Sequence, residues 1–521
     1  MNWAIVSTWV RDGSSFIANA SIPGQGDSVW LVPMTGGPPR KLRQDARAWS
    51  VSRDGSWVAF TANRGRIAEG REMWVMRPDG EEARKLYESD ENSGFTGAEW
   101  SPDGQRLAFN LGRVVGNKFE WQVVSRDLEG GPAIAAIPTP WDWSWSPDGR
   151  IIYSLDEPGP PGASCNFWAR RIDSRTGKPL ESPKRLTNWT GFCMTSPSPT
   201  ADGKRLAFRR FSSEGGVYVA GLGPKNILKD VPRRLTLSEG PHYPIAWTAD
   251  SKTVLFEAYR DGRWQIFKQS LDENTAEPIV TQVYEKGTGN VTGATLTPDD
   301  AWLLYTASNS DDNSDQRQLN RVSLGGGSPE VVLSAPAGYR GPRCAQAPAT
   351  LCLISEHRPD FKQLVFTAID ALKGRGNEVA RFDISPNDYY EYMWDLSPDG
   401  TQIAIVLYSE GQIDILHLDG RPPQQLRVQG WNSLQSVDWA ADGKGIFASS
   451  ETKSGSVLLL VDLTGMAHVI WEKQGSFAWD MDFKAMIGAP LAPSALPSPD
   501  GRHLAIYDWK LSANMWMMES F

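Results

Sequence analysis

A short turn motif recurs along this chain of 521 residues, each time between two apolar or aromatic segments. In Ser146-Pro147-Asp148-Gly149 the proline presets φ for a tight turn, the aspartate can accept hydrogen bonds from nearby backbone N–H groups, and the glycine tolerates a positive φ. The segments on either side are WSW and IIY. The motif therefore predicts a β-hairpin closed by a type I turn and a glycine bulge.

Eleven copies of this hairpin can be followed along the chain. Successive aspartates lie 39 to 61 residues apart, a loose period that is typical of four-stranded propeller blades. The complete copies contain Asp12-Gly13, Asp54-Gly55, Asp103-Gly104, Asp148-Gly149, Asp202-Gly203, Asp399-Gly400, Asp442-Gly443 and Asp500-Gly501. Three weaker copies contain Asp250, Asp299 and Asp360.

Each copy is followed by signals for two more strands. An aromatic segment such as SVWLVPM or NFWARRID comes sixteen to twenty residues after the aspartate, and PRKL, ARKL, KRLT or RRLT often follows. The pattern predicts an all-β chain of about eleven four-stranded blades. Because propellers usually close with about four to eight blades, we expect tandem β-propellers, with about six blades in residues 1–290 and about five in residues 291–521.

Charge and hydropathy exclude several classes of partner. The net charge is −9 and no block of Lys or Arg is suited to follow a phosphate backbone, so nucleic acid is not an expected partner. No apolar run approaches the roughly 18 residues that a membrane span requires. The N-terminal segment MNWAIVSTWV lacks the basic and apolar regions of a signal peptide.

The four cysteines lie at places that suit two local disulfides. Cys344 and Cys352 bracket one loop, whereas Cys165 begins a third strand and Cys193 precedes the first strand of the next repeat. Both pairs could form in an oxidising compartment. The alternative is four free, half-buried thiols in a cytosolic protein.

The 23 tryptophans divide into those that follow the repeat and those that do not. One set precedes the turn and another lies on the third strand, so packing of blade against blade is the simpler explanation for both. The first set is Trp9, Trp49, Trp100, Trp145, Trp247 and Trp439, and the second is Trp30, Trp74, Trp121, Trp168 and Trp516. Trp141, Trp189, Trp431 and Trp509 have no repeat position, and some of them could be exposed platforms for a glycan or peptide.

The repeat resembles the TolB-like β-propeller repeats of bacteria. The likeness rests on the turn motif after an aromatic strand and on the strands that follow it. More specifically, RLTNWTGFC, AWTADSKTVLF, WAADGKG and the final segment SPDGRHLAI with NMWMMESF look like the C-terminal propeller region of bacterial receptor-type Ser/Thr protein kinases. The resemblance implies the outer, ligand-binding part of such a receptor, or a free-standing relative, in an extracytoplasmic location.

No catalytic motif accompanies the resemblance. The chain contains no kinase catalytic loop, DFG motif or glycine-rich phosphate loop and no GxSxG nucleophile elbow. A propeller enzyme could instead hold a metal in its central channel. The weak candidates for its ligands are His242, Glu99, Asp395 and Asp438, which lie one residue before an aromatic position or near the start of an inner strand, but their spacing matches no known metal site.

The segment Asn309 to Asp315 has Asp311, Asn313 and Asp315 at alternating positions, as at the start of a calcium loop. Gln316 stands where such a loop has glycine and Val322 where it has its bidentate glutamate. A solvated hairpin tip is therefore favoured over a structural calcium site, and no cofactor is predicted.

These observations predict a non-enzymatic propeller scaffold or sensor module that binds a protein, peptide, glycan or other envelope ligand through loops on one face or at the channel mouth. The alternative is a metal-dependent propeller lyase or hydrolase. The cysteines and the resemblance favour an extracytoplasmic protein, although a cytoplasmic one remains an alternative because the chain contains no signal peptide.

Overall fold

The chain is all-β. A computed structural model describes residues 3–22, 26–63, 70–115, 118–138, 142–157, 164–237, 242–260, 263–281, 291–308, 317–335, 340–358, 362–384, 392–408, 410–452, 455–474, 494–519 and 521. Within these ranges the regular elements are strands in antiparallel sheets, together with one short 3₁₀ segment, Pro224–Asn226. No helix in the described residues is long and apolar enough to cross a membrane.

Four sheets are formed by the first part of the chain, each from four consecutive strands paired in chain order. The first contains β1 (Trp3–Trp9), β2 (Ser15–Ile22), β3 (Gly26–Pro33) and β4 (Arg40–Gln44); the second contains β5 (Ala46–Val51), β6 (Val58–Ala62), β7 (Glu72–Met76) and β8 (Arg84–Glu88). The third contains β9 (Ser93–Trp100), β10 (Arg106–Val115), β11 (Lys118–Asp127) and β12 (Ile134–Pro138); the fourth contains β13 (Trp143–Trp145), β14 (Arg150–Asp156), β15 (Cys165–Arg171) and β16 (Lys184–Arg185).

Five further sheets have the same order. They contain β20 (His242–Trp247), β21 (Thr253–Arg260), β22 (Arg263–Ser270) and β23 (Glu277–Val280); β24 (Val291–Leu296), β25 (Trp302–Ser308), β26 (Arg317–Ser323) and β27 (Glu330–Ala335); β28 (Arg340–Cys344), β29 (Cys352–His357), β30 (Gln363–Asp370) and β31 (Gly374–Asp383); β32 (Tyr392–Leu396), β33 (Gln402–Leu407), β34 (Gln412–His417) and β35 (Gln424–Arg427); and β36 (Ser436–Trp439), β37 (Gly445–Thr452), β38 (Gly455–Asp462) and β39 (Ala467–Gln474).

The remaining sheet joins distant parts of the sequence. Its strands β17 (Cys193–Pro199), β18 (Arg205–Gly221), β41 (His503–Glu519) and β40 (Ser494–Pro497) pair in that order, and β19 (Arg233–Arg234) also pairs with β18. The strands β18 and β41 have 17 residues each, about three times the usual strand length.

The chain forms two compact units, and the long strands contribute to both. Unit 1 consists of Met1–Glu157, Ala163–Ser212 and Ala513–Phe521, and most of unit 2 is Ser213–Ser512. The sequence-based division at residue 290 does not coincide with this partition. Pairing of the last strand with β18 places residues from the middle and from the C-terminal part of the sequence in one sheet, and the repeat pattern alone contained no signal for this long-range pairing.

Side-chain and backbone hydrogen bonds close the predicted turns. In the turn between β9 and β10, Gly104 N donates to Ser101 O at 2.9 Å, and Ser101 Oγ and Gln105 N both donate to Asp103 Oδ1 at 2.7 and 3.1 Å. The glycine has a φ of +73°. In the other turns too, the backbone N–H of the residue two positions after the aspartate donates to the aspartate side chain. These aspartates are Asp12, Asp54, Asp148, Asp202, Asp250, Asp299, Asp399, Asp442 and Asp500.

Two of the weaker copies keep the positive φ without glycine. Ser251 and Asp300 occupy the glycine position with φ values of +60° and +55°. Each uses its side chain to accept a backbone hydrogen bond from another turn: Ser251 Oγ from Asp500 N at 3.1 Å, and Asp300 Oδ2 from Ala249 N at 2.6 Å. These contacts offset the cost of a left-handed backbone at a residue other than glycine.

The prediction that Asp360 lies in the turn between the first and second strands of a sheet is wrong. Asp360 lies outside the described residues, but the strands on either side of it are β29 and β30, the second and third of their sheet. The first hairpin of that sheet is formed by β28 and β29, and Ala345 N donates to Leu351 O at 2.8 Å where other sheets have the aspartate turn. A Pro-Asp pair before an apolar segment was therefore insufficient to identify which hairpin it closes.

Both predicted cysteine pairs are disulfide-bonded. Cys344 and Cys352 are register partners on β28 and β29, with a Cα–Cα distance of 4.0 Å. Their disulfide closes the one first hairpin that lacks the aspartate turn. Cys165 on β15 and Cys193 on β17 have a Cα–Cα distance of 4.3 Å and join neighbouring sheets of unit 1.

We expect Gly149→Ala to lower the free energy of unfolding by about 1 kcal/mol, because Gly149 has a φ of +88° that a Cβ atom disfavours. The nearest atom to an added Cβ is Ile172 O at 3.8 Å, so steric overlap does not contribute. Urea denaturation measures the change. Gly149→Asn, which tolerates this conformation better, is the control; an alanine variant as stable as the wild type would contradict the turn assignment.

Removing the Cys344–Cys352 disulfide should destabilise unit 2 by about 2–3 kcal/mol, because the bond closes a loop with a sequence separation of 8. The double variant C344S/C352S should have a lower melting temperature than the wild type in non-reducing buffer. After both proteins are reduced in denaturant and refolded with a thiol reductant, their melting temperatures should be similar. Mass spectrometry of thiol alkylation monitors the bond. Four alkylatable thiols in protein purified without reductant would contradict both disulfides.

Candidate charged site in unit 2

One register position distinguishes the first strands of unit 2 from those of unit 1. Each turn between a first and a second strand begins at the residue whose N–H and C=O make the backbone hydrogen bonds that close the turn. The distinguishing register position lies two residues before that residue. In unit 1 this position holds Thr8, Ser50, Glu99, Ser144 and Ser198, and in unit 2 it holds Ala246, Thr295, Arg343, Asp395, Asp438 and Leu496. Three charged residues therefore lie on the successive first strands β28, β32 and β36.

Glu99 shows what an acidic residue at this position does in unit 1. Its Oε2 accepts hydrogen bonds from Trp145 N at 2.6 Å and from Ser144 Oγ at 3.0 Å, both on the next first strand. Burial raises the pKa of Glu99 to about 7, and these two hydrogen bonds limit the increase. The carboxylate has a structural role, linking β9 to β13.

Asp395 makes the equivalent link in unit 2 and also faces a cation. Its Oδ2 accepts a hydrogen bond from Trp439 N at 2.9 Å, and its Oδ1 lies 3.5 Å from Arg343 Nε. The exposed fractions of the Arg343 and Asp395 side chains are 30% and 18%, so solvent still reaches both. Burial raises the pKa of Asp395 to about 6, and the Arg343 guanidinium opposes the increase.

Asp438 repeats the arrangement with one change. Trp439 N donates to Asp395 from the next first strand, and the residue at the equivalent place for Asp438 is Pro497. Proline has no backbone N–H to donate. Asp438 accepts a backbone hydrogen bond from Ala495 instead. Burial raises its pKa to about 8, repulsion from the Asp395 carboxylate adds to the increase, and Arg343 opposes it. The state in which both aspartates are ionised is therefore disfavoured.

Arg343 also lowers the pKa of a third carboxyl group, that of Glu257 on β21. The side chain of Glu257 is 7% exposed, and it accepts a backbone hydrogen bond from Gly293. Its Oε1 has no hydrogen-bond partner in the described part of the chain. Burial raises the pKa of Glu257 to about 8, while the charge of Arg343 lowers it. We name Glu257, Arg343, Asp395 and Asp438 the charged cluster.

His242 does not join the charged cluster. It is fully buried, its Nδ1 lies 3.4 Å from Gly215 O, and its ring packs edge-on against Phe256. Burial lowers its pKa to about 4, and the charges of Arg260 and Arg234 act in the same direction. A neutral imidazole in this position serves packing.

The four proposed metal ligands are thus not assembled into one site. Glu99 belongs to unit 1, and the described residues bring together only Asp395 and Asp438. Within the described ranges, one group of three ligand-type side chains lies within 4.8 Å: Asp156, Cys165 and Cys193, whose two sulfurs are in a disulfide. Asp311, Asn313 and Asp315, the possible calcium ligands, lie outside the described residues.

The tryptophans without a repeat position do not form an exposed platform in the described residues. Trp189 packs against Phe192 and Phe208, and Trp431 packs against the buried cluster between the last two consecutive-strand sheets. Trp141 and the side chain of Trp509 lie outside the described part. Four of the six tryptophans before the turns, Trp100, Trp145, Trp247 and Trp439, are buried, as packing between sheets requires.

Sequence reasoning missed Glu257 and Arg343. Arg343 occupies the same register position as Asp395, but its hairpin lacks the aspartate turn from which positions were counted. Glu257 lies on a second strand, outside the position that was searched. The cysteine-bracketed loop Cys344–Cys352 was the available signal, since aligning it with the turns of other repeats would have placed Arg343 beside Asp395.

Comparison with known proteins identifies no family. No family model matches the chain. An uncharacterized protein of Agrobacterium fabrum, Atu1656, is 26% identical over 197 residues, which represent 36% of this chain and 59% of that protein. The chain thus spans less than two thirds of this curated relative.

Several solved structures show a distant likeness. A chain of a nidogen/laminin complex is 14% identical with a TM-score of 0.35, covering 48% of this chain and 89% of that chain. A puromycin-hydrolyzing peptidase of Mycobacterium tuberculosis is 12% identical with a TM-score of 0.28, covering 76% and 57%, and the tricorn protease is 13% identical with a TM-score of 0.28, covering 97% and 48%. Scores this low leave the site to be interpreted from its own geometry.

Asp438→Asn should flatten the dependence of stability on pH. The pKa of Asp438 is about 8 in the folded protein and about 4 in the unfolded chain, so the folded state holds the proton more tightly. The stabilisation from protonated Asp438 is therefore fully present below about pH 4 and is lost as the pH rises through about 8. The asparagine variant should therefore melt above the wild type at pH 9, with a difference that disappears towards pH 4. Differential scanning calorimetry measures both.

Asp54→Asn is the control with the opposite sign. A hydrogen bond from Ser52 holds the pKa of Asp54 at about 2, so its contribution is present above the unfolded value and is lost as the pH falls through about 2. This variant should melt below the wild type at neutral pH, with a difference that closes in acid. Pairs of melting curves that stay parallel at every pH would contradict both assignments.

Proposed function

We propose that this chain is a non-enzymatic binding module made of TolB-like propeller blades, and that unit 2 binds a positively charged segment of a protein or peptide at the charged cluster. The resemblance of the repeats to the propeller region of receptor-type kinases supports a sensor or scaffold role. The observation that carries the binding site is the contact between Arg343 and Asp395, together with the buried Glu257 Oε1 that has no hydrogen-bond partner in the described residues.

The charge balance of the cluster suits a cationic ligand. Arg343 contacts Asp395 directly, and its positive charge lowers the pKa of Asp438 and of Glu257. The cluster therefore contains one positively charged side chain and three carboxyl groups. Glu257 is more than nine-tenths buried, and its Oε1 lacks a hydrogen-bond partner in the described residues. A buried carboxyl oxygen without a hydrogen-bond partner carries a desolvation cost that a ligand donor would relieve, and a ligand cation would also favour ionisation of Glu257, whose pKa is about 8 in the free protein.

A Lys ammonium or an Arg guanidinium fits this requirement. Both supply several N–H donors and a positive charge, which shifts the carboxyl groups towards their ionised forms. Because the pKa of Asp438 is raised to about 8 in the free protein, binding of a cation should release a proton near neutral pH. Affinity should consequently increase from pH 6 to pH 8.

The proposal includes a closed six-bladed ring for unit 2. First strands β20, β24, β28, β32, β36 and β40 contact one another in succession, and β40 also contacts β20, which supports closure. In the sixth blade, β40 and the N-terminal part of β41 supply two strands, and the C-terminal part of β18 with β19 supplies the others. Side chains on first strands then line the central channel.

An extracytoplasmic location belongs to the same proposal. Two disulfides are compatible with an oxidising compartment, and the receptor-like repeats point in the same direction. Cationic segments of proteins or peptides are then ligands that the module would encounter outside the cytoplasm.

Isothermal titration calorimetry of the purified chain tests the ligand class. The probes are Gly-Ser peptides that carry three spaced lysines, three arginines or three glutamates. We expect saturable binding of a basic peptide in low salt, weakening with added salt and accompanied by proton release. Asp438→Asn and Glu257→Gln should weaken binding by about tenfold each, if each removes about 1.4 kcal/mol of interaction with a charged group.

Glu99→Gln is the matched control, because Glu99 has the same register position but lies in unit 1 with its hydrogen bonds satisfied. It should bind the basic peptide as the wild type does. Equal loss in the Glu99 and Asp438 variants, or preferential binding of the acidic peptide, would overturn the proposed site. Stabilisation by calcium or manganese that a chelator reverses, together with loss of that effect in Asp438→Asn, would favour the metal-dependent enzyme instead.

A further inference from the structure

In the described part of the chain, one edge of a unit 1 sheet, formed by the last strand, has no strand paired with it. In this unit the sheet consists of β17, the first part of β18 and the last part of β41. The four other sheets of the unit each have a fourth strand paired with the third. No strand in the described residues pairs with the outer edge of β41 from Ala513 to Glu519. An unpaired edge presents backbone N–H and C=O groups to an added strand.

Trp516 occupies the place of the third-strand aromatic residue. Arg205 pairs with Glu519 at 3.1 Å, and Leu222 N donates to Arg502 O at 2.7 Å, so both ends of β18 have the same antiparallel register with β41. An uninterrupted antiparallel register between these two contacts pairs Trp516 with Phe208. In the second sheet, Trp74 is likewise the register partner of Phe60.

Four of the fourth strands place a basic pair opposite this aromatic residue and the residue after it, whereas β12, the fourth strand of the third sheet, has no basic residue. Lys41 is the register partner of Trp30, Lys85 of Trp74 and Arg185 of Trp168, and Arg234 is the partner of Tyr218 in the part of β18 that belongs to unit 2. The preceding basic residues Arg40, Arg84, Lys184 and Arg233 face the next position, and leucine follows each pair. Lys41 and Arg185 lie 5.2 and 5.9 Å from the rings of Trp30 and Trp168, within cation–π range.

In the second and fourth sheets the residues beside the aromatic position are buried, whereas their counterparts in β41 are exposed. Met73 and Val75 beside Trp74 are fully buried, as is Phe167 before Trp168. Their counterparts Met515 and Met517 are 71% and 59% exposed, and Trp516 is 45% exposed. Arg210 contacts the Trp516 ring from the second strand at 4.9 Å, but no fourth-strand cation covers it in the described residues.

We propose that the outer edge of β41 binds an extended segment of a partner protein that contains Arg-(Lys or Arg)-Leu and adds to the sheet as its fourth strand. The second basic residue of the segment lies over Trp516 and the first lies opposite Met517. The chemistry of this partner is read from the four internal sheets in which the same position is filled. This site is independent of the charged cluster, because it lies on a different unit and requires strand pairing in addition to positive charge.

The probe is a fluorescein-labelled peptide with the sequence EARKLYES, which is residues 82–89 of the chain itself. Two control peptides replace Arg-Lys by Glu-Glu or Leu by Pro. We expect saturable binding of the first peptide by fluorescence anisotropy and weaker binding of both controls. Trp516→Ala should weaken binding by about 2- to 5-fold through loss of the cation–π contact, whereas Trp516→Phe should retain most of the affinity.

Hydrogen exchange with mass spectrometry locates the peptide. Amides in residues 513–519 should exchange more slowly when the peptide is bound, because strand addition gives the edge N–H groups new acceptors. Asp438→Asn should bind this peptide as the wild type does. If the lysine peptide of the calorimetric test fails while EARKLYES protects residues 513–519, the charged-cluster proposal falls and this one stands.

Three results would overturn the edge proposal. The first is binding of EARKLYES that is lost in Asp438→Asn and leaves residues 513–519 unprotected, because the peptide then occupies the charged cluster. The second is unchanged affinity in a Trp516→Ala variant whose circular dichroism melt matches the wild type. The third is protection of residues 513–519 without peptide that decreases on dilution, since a second copy of the chain would then occupy the edge.

Discussion

The hydrogen bond from a backbone N–H to the turn aspartate two residues earlier is the constraint on which the sheets depend. It fixes where each first strand ends and the second begins, and therefore which side chains of both strands face the same way. Where this turn is absent, between β28 and β29, the Cys344–Cys352 disulfide joins the same two strands at the corresponding place. Where glycine is absent, Ser251 and Asp300 hold the turn conformation through hydrogen bonds to other turns.

This shared register explains why acidic residues at one position have different roles in the two units. Glu99 receives two donors from the next first strand and is satisfied. Asp438 meets a proline where the donor would be, and it lies near a second aspartate and one arginine. Burial and the neighbouring carboxylate of Asp395 therefore raise the pKa of Asp438, and the backbone hydrogen bond from Ala495 limits the increase.

The same repetition makes the edge of β41 interpretable. Each complete sheet acts as an internal reference for what pairs with the third strand, and by that reference the described residues supply no fourth strand beside the last part of β41. The two proposed surfaces both attract cations, but for different physical reasons. The charged cluster offers buried carboxylates, whereas the edge offers an aromatic face and free backbone groups.

The sequence by itself determined the all-β class, the position of ten turns, the strands around them and both cysteine pairs, because each depends on local backbone preferences or on residues close in the repeat. It did not determine the partition of the chain, the hairpin near Asp360 or the charged cluster. Pairing of β18 with β41 joins segments about 300 residues apart, and Arg343 and Glu257 approach the aspartates from strands in other sheets. Only the tertiary structure decided these features, since they depend on which sheets become neighbours, and that choice reflects packing of the whole chain rather than any local pattern.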